Sequence, residues 1–157
     1  MIHQLALVGS PPEHRAHIGP GILPEVDETA RVEAFCTVDA GIKEPTRIAR
    51  GAWLMKGCHV GHDAQIGADV ELAPHCAVGG HVIIEAGVRV GLGATFKPFV
   101  HVGAGARIGM GAVVITDVPA GEVWAGNPAR MIHKAASPQL SAGELEGWEE
   151  WWRAARA

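Results

Sequence analysis

A chain of 157 residues, 48% of them hydrophobic, is long enough for one domain with a real core. Its net charge of −4 and its 19% of charged residues argue against a nucleic-acid or anionic-membrane surface as main partner. No apolar run approaches the roughly 20 residues of a membrane helix, and three cysteines that cannot all pair with one another point to reduced thiols and a cytoplasmic protein.

In chain order, residues 1–25 read as an N-terminal cap segment. Met1 to Gly9 carries neither a basic stretch nor a long apolar one, so no signal peptide is expected. Pro11-Pro12 and Gly19-Pro20-Gly21 make the rest irregular. A six-residue period then begins with Val26, Val32 and Val38, with Ala30 and Cys36 two residues before the last two. From Val38 the next apolar position in phase is Ile48, ten residues on, so about four extra residues form a loop insertion near 40–46. Such a loop is either an inert bulge or a functional one held by a rigid scaffold.

Beyond it the period is unbroken. Ile48, Leu54, Val60, Ile66, Leu72, Val78, Ile84, Val90, Phe96, Val102, Ile108 and Val114 are all apolar, an outcome with a chance probability on the order of 10⁻⁴ at this composition. Two residues before each from Val60 onward stand Cys58, Ala64, Val70, Cys76, Val82, Val88, Ala94, Val100, Ala106 and Ala112. Glycine often follows the apolar position. Alternation that holds for three residues and then resets fits neither an amphipathic helix nor a plain strand. It fits a short strand followed by a tight corner, three of which make one coil of a parallel β-helix. The fold expected over 26–118 is therefore all-β, a parallel β-helix of about five coils. An extended segment should follow over 119–140. A short α-helix is expected at 141–156, opened by the capping box Ser141 to Glu144, with Leu145, Trp148, Trp152 and Ala155 on one face.

The repeat region is followed by Asp117-Val118-Pro119-Ala120-Gly121 and Gly126-Asn127-Pro128-Ala129-Arg130. With these segments the chain strongly resembles the hexapeptide-repeat acyltransferase superfamily. The resemblance implies a left-handed coil, a homotrimer and active sites between adjacent subunits. Handedness comes from the resemblance alone, since the usual crossover rule is right-handed. Within the superfamily, His59-Val60-Gly61-His62-Asp63 and Gly79-Gly80-His81-Val82 resemble two branches. One is the sialic-acid-type and bacillosamine-type sugar acetyltransferases. The other is the UDP-N-acetylglucosamine O-acyltransferases of lipid A synthesis.

That resemblance implies His62 as catalytic base, Asp63 as the acidic neighbour that orients its ring and the Gly80 N–H as oxyanion donor. His59 and His81 stand at family histidine positions and would contact substrate. Lys97 replaces a further family histidine and is a candidate substrate contact. Gly126, Asn127, Pro128 and Arg130 would bind the donor and lean towards acetyl-CoA over an acyl carrier protein. The acceptor implied is a sugar or nucleotide sugar, and no permanently bound cofactor or metal is expected.

Spacing adds geometry of its own. Residues 18 apart should stack, which sets His62 below Gly80 and Pro98, and Asp63 below His81 and Phe99. His62 and His81 should then be roughly 5 to 8 Å apart. Acyl transfer from a thioester needs a base near neutral pH, an oxyanion donor and a cleft that holds both substrates. His75 and His101 read as solvated. Glu71, Arg89 and Arg107 read as a charge ladder, or as a phosphate contact. Cys58 and Cys76 read as small core residues. Two rivals remain. A zinc carbonic anhydrase on this fold needs two histidines five residues apart, whereas His59, His62, His75 and His81 are spaced 3, 13 and 6. A non-catalytic scaffold would bind no coenzyme A.

Overall fold

The structure, a computed structural model, describes residues 1–11 and 19–134. The helix expected at 141–156 lies outside those residues.

Each hexad folds as a two-residue strand and a corner. The second strand residue points inward: Val60, Ile66, Leu72, Val78 and Ile84 are at most 1% exposed. Between them, at the preceding corner, the small inward residues Cys58, Ala64, Val70, Cys76 and Val82 fill the rest of the lumen. One strand offers too little surface to stand alone. Stacking buries every inward side chain, at about 1.5–3 kcal/mol for each large aliphatic one.

The strands form three parallel faces. The first face has six strands, Leu7–Ser10, Thr37–Asp39, His59–Val60, Ala77–Val78, Thr95–Phe96 and Val113–Val114. The second has five, Glu25–Val26, Arg47–Ile48, Gln65–Ile66, Ile83–Ile84 and His101–Val102. The third begins at Arg31–Val32 and ends in Glu122–Ala125 and the antiparallel Arg130–Lys134. Register is 18 residues per coil, as in His59 on Ala77 on Thr95 on Val113.

With six strands on its first face, the helix has about six coils, one more than the period suggests. The extra strand is Leu7–Ser10, inside the segment expected as a cap. Gly9 at φ +89 and a register shift between Val8 and Ser10 break the hexad there and hide it from the count. At the other end the coil narrows, because Val102 pairs with Val118, only sixteen residues on. Residues 122–134 then fold back as a hairpin. No helix among the described residues is long and apolar enough to cross a membrane.

Candidate active site at the His62 corner

His62 occupies the corner between the His59–Val60 strand of the first face and the Gln65–Ile66 strand of the second. Its imidazole is mostly covered, with 15% of the side chain exposed. Gly80 lies directly over it. A Cβ built on Gly80 would stand 2.7 Å from His62 Nε2 and 2.8 Å from Cε1, so only glycine leaves room for the ring. Among the described residues no backbone carbonyl accepts the Gly80 N–H.

Asp63 takes the left-handed backbone conformation (φ 59), which aspartate tolerates better than most residues. Its side chain is fully buried and serves as a hub. Oδ2 lies 2.7 Å from His62 Nδ1 and accepts the Ile42 N–H at 3.1 Å. Oδ1 accepts the Lys43 and Glu44 N–H groups at 2.7 and 2.8 Å. The Asp63 N–H in turn donates to Thr46 Oγ1 at 2.9 Å. Burial by itself pushes the Asp63 carboxyl up, but the N–H groups of Glu44, Ile42 and Lys43 together with His62 outweigh it and hold it down at about 2. The carboxylate is thus ionised throughout the neutral range, and His62 carries its ring proton on Nδ1 if that bond is to be made, leaving Nε2 as acceptor.

His81 stands one coil above Asp63, also with a left-handed backbone (φ 58). Its ring meets His62 edge-on with centroids 5.0 Å apart, inside the range expected from coil stacking, and lies flat on Phe99 at 4.6 Å. His81 Nε2 is 3.8 Å from Asp63 Oδ2. His59 faces outward on the first face, where Nδ1 shares a hydrogen with Thr37 Oγ1 at 2.8 Å and Nε2 lies 3.9 Å from the buried Asp39 carboxylate. Lys97 is exposed on the same corner, one coil above Gly79.

The Gly126–Arg130 segment stands apart from these residues. It is held on the last strand of the first face, with Val113 N–H donating to Gly126 and Ala129 N–H to Val113, at 2.9 and 2.8 Å. That strand is three rungs above His59, about 14 Å along the helix. Arg130 Nη1 donates to the Ala129 carbonyl. His75 is exposed at a different corner, between the third and first faces, and His101 pairs on the surface with Glu85. Arg89 contacts Glu71 and stacks below Arg107, so the ladder is an ion pair at the surface. All three cysteines are buried and free.

His62, Asp63 and His81 offer donor atoms within 4.8 Å of one another, a set that could in principle hold a metal. The Asp63 carboxylate argues against it: three backbone donors and the His62 ring already fill its four acceptor positions. The absence of any two histidines five residues apart likewise does not favour the zinc anhydrase reading.

Thr46 is the residue that motif reasoning misses. Its signal was in the repeat: two residues before Ile48, it is the polar member of an otherwise apolar inward series, and it is 0% exposed.

The fold and this corner define a class, a left-handed parallel β-helix of hexapeptide repeats with a His–Asp pair beneath a glycine. Comparison with known proteins agrees with the fold. The family model "Bacterial transferase hexapeptide (six repeats)" matches residues 45–80. The chain is 30% identical over 131 residues to the acyl-(acyl-carrier-protein)–UDP-N-acetylglucosamine O-acyltransferase of Janthinobacterium sp. (strain Marseille), covering 82% of this chain and 50% of that protein. It superposes on UDP-N-acetylglucosamine O-acyltransferase (LpxA) from Moraxella catarrhalis with a TM-score of 0.84 at 26% identity, over 97% of this chain and 62% of that one. PerB from Caulobacter crescentus, solved with CoA and GDP-perosamine, gives a TM-score of 0.70 at 29% identity over 83% of this chain and 55% of that one. The chain is a hexapeptide-repeat protein similar to the sugar and nucleotide-sugar acyltransferases of that superfamily, and it spans about half the length of the curated relative it matches.

Proposed function

We propose that this protein is an acyltransferase that moves an acyl group, acetyl first among them, from a coenzyme A thioester to an amino or hydroxyl group of a sugar or nucleotide sugar. The observation that carries this is the 2.7 Å contact between His62 Nδ1 and a buried, ionised Asp63, which aims Nε2 as a base at a corner capped by Gly80. His62 Nε2 takes the proton of the attacking hydroxyl or amine as the new bond to the thioester carbonyl forms. The oxyanion is held by the Gly80 N–H. Collapse of the tetrahedral intermediate breaks the carbon–sulfur bond, and the thiol leaves with the proton from His62. His59, His81 and Lys97 line the acceptor side. Gly126, Asn127, Pro128 and Arg130, higher on the first face, bind the coenzyme.

A corner of a solenoid is convex, whereas two substrates need a concave site. A homotrimer, with each His62 corner facing a neighbouring subunit, supplies the second wall. The outward residues of the first face beside this corner, Leu7, Thr37, His59, Ala77, Thr95 and Val113, carry no carboxylate, lysine or arginine, which suits such an interface. A second reading of the donor is favoured by the Janthinobacterium relative, whose name specifies an acyl carrier protein.

The test is a thiol-release screen of acyl-CoAs against amino sugars and nucleotide sugars, with light scattering for the oligomer. Thiol release that depends on acceptor, and is lost in His62→Ala, is the expected result. Calorimetry that finds no binding of coenzyme A would favour the carrier-protein donor or a scaffold.

A further inference from the structure

The described residues contain three buried polar or charged side chains, Asp39, Thr46 and Asp63, and all of them lie around the His59 and His62 corner. Two of the three meet at one point, and the insertion near 40–46 is what brings them together. We propose that the Gly41–Thr46 insertion is the positioning element of the base, holding Asp63 between a cradle of N–H groups and the Thr46 hydroxyl and, through Asp63, fixing the orientation and tautomer of His62. The base role of His62 is the one proposed above, and the inference rests on it.

Three consecutive N–H groups, Ile42, Lys43 and Glu44, converge on one carboxylate. Successive N–H groups arranged in this way form an anion-binding concavity, and here the anion is a side chain of the same molecule. The turn that presents them closes only on glycine. A Cβ on Gly41 would stand 1.7 Å from the Glu44 carbonyl oxygen. The insertion is also braced on its outer sides. Gly41 exchanges both backbone hydrogen bonds with Ile22, at 2.7 and 2.8 Å, and the Gln65 amide donates to the Pro45 carbonyl at 3.1 Å. An inert bulge would leave its N–H groups to water. This one spends them on the residue that touches His62.

Thr46 supplies the other half. It stands at an inward position where Ala52, Cys58, Ala64 and Val70 occupy the same place in later hexads. A hydroxyl there is costly unless it is bonded, and this one accepts the Asp63 N–H. The bond anchors the backbone of a residue in the left-handed conformation, and the direction of its carboxylate with it. A carboxylate saturated by backbone donors acts only as an acceptor. It orients the His62 Nδ1–H without competing for the proton.

The experiment uses the full chain with nitrogen-15-labelled histidine, and reads the His62 ring by NMR alongside thiol release. In the unmodified chain His62 should be the Nδ1–H tautomer, and the Lys43 and Glu44 amides should be protected from exchange. Thr46→Val keeps the shape of the residue and removes the hydroxyl. Gly41→Ala forces the cradle apart from the other side. Each should convert His62 to a mixture of tautomers and lower kcat about tenfold or more with KM little changed, while Thr46→Ser keeps the wild-type signals. A change in melting temperature alone, with the His62 ring signals and kcat as in wild type in either folded variant, overturns the proposal. So does fast exchange of the Lys43 and Glu44 amides in the unmodified chain, a result that needs no variant to fold. The ring signals do not depend on turnover. A fixed tautomer that responds to Thr46 and Gly41 in a protein that transfers no acyl group would refute the acyltransferase reading and leave the role of the insertion intact.

Discussion

The corners of this helix make the same demand on the backbone and meet it differently. At the corner between the second and third faces the left-handed position is filled by Gly51, Gly87, Gly105 and Gly121, with Asp69 among them. At the His62 corner the same position is filled by Asp63, His81 and Phe99, with no glycine. A left-handed conformation costs a non-glycine residue on the order of 1 kcal/mol, less for aspartate. The first column takes the inexpensive solution: a Cβ on Gly87 or Gly105 would meet nothing within 4 Å, so those glycines serve conformation alone. The second column carries strain at three successive coils and puts a carboxylate and two rings in contact there. Phe35, Asp69 and His75 carry the same conformation at the other corners, so what sets this column apart is that its three strained residues succeed one another coil by coil and touch.

The largest expected contrast is between His62 and any other corner residue. His62→Ala should leave a folded β-helix and lower kcat by about a thousandfold, the range general base catalysis spans. Circular dichroism and thiol release together check it. Gly80→Ala against Gly87→Ala sharpens the comparison. At Gly80 the new methyl meets the His62 ring at 2.7 Å and, if His62 is the base proposed above, should lower kcat about a hundredfold by displacing that ring. At Gly87 it meets open space but a left-handed backbone, φ 70, and should cost about 1 kcal/mol of stability with activity unchanged. Equal effects of the two on kcat would break the distinction between the corners.

Much of this contrast was legible in the sequence. The unbroken series from Ile48 to Val114 yields the coil, and steps of 18 place Gly80 over His62 and His81 over Asp63. The period also located the insertion. What spacing could not supply was the insertion's target, because the hydrogen bonds from Ile42, Lys43 and Glu44 to Asp63 depend on how an aperiodic segment folds back. The Leu7–Ser10 strand stayed hidden for a related reason: Gly9 breaks the hexad, and parallel pairing with Thr37–Asp39 leaves no local signature. The role of His62 was never a matter of period. It rests on resemblance and on the contact with Asp63.

Asp63 yields the next smaller effect, read against pH. Its carboxyl is held at about 2, below the ordinary aspartate value of 3.8, so the unfolded chain binds the proton first on acidification. The stabilisation is therefore present above pH 4 and is lost as pH falls through 2. The shift corresponds to about 2 kcal/mol. Urea unfolding from pH 6 down to pH 2 should show this loss in the wild type and a flatter profile in Asp63→Asn.

The smallest effect is the most informative about strain. Phe99 is 73% exposed with φ 69, and its ring stacks on His81. Phe99→Gly relieves the backbone, a gain of about 1 kcal/mol, and loses a stacking contact of about 0.5–1.5 kcal/mol. The two nearly cancel, so the melting temperature should move by no more than a few degrees in either direction. Activity should fall nonetheless, because His81 loses the ring that steadies it against His62. A variant with unchanged stability and lower kcat would show that this corner's strain is tied to its chemistry. If kcat and stability instead both remained at wild-type values, the His81–Phe99 stack would be ornament on the scaffold, and the functional part of the column would end at the insertion, Asp63 and His62.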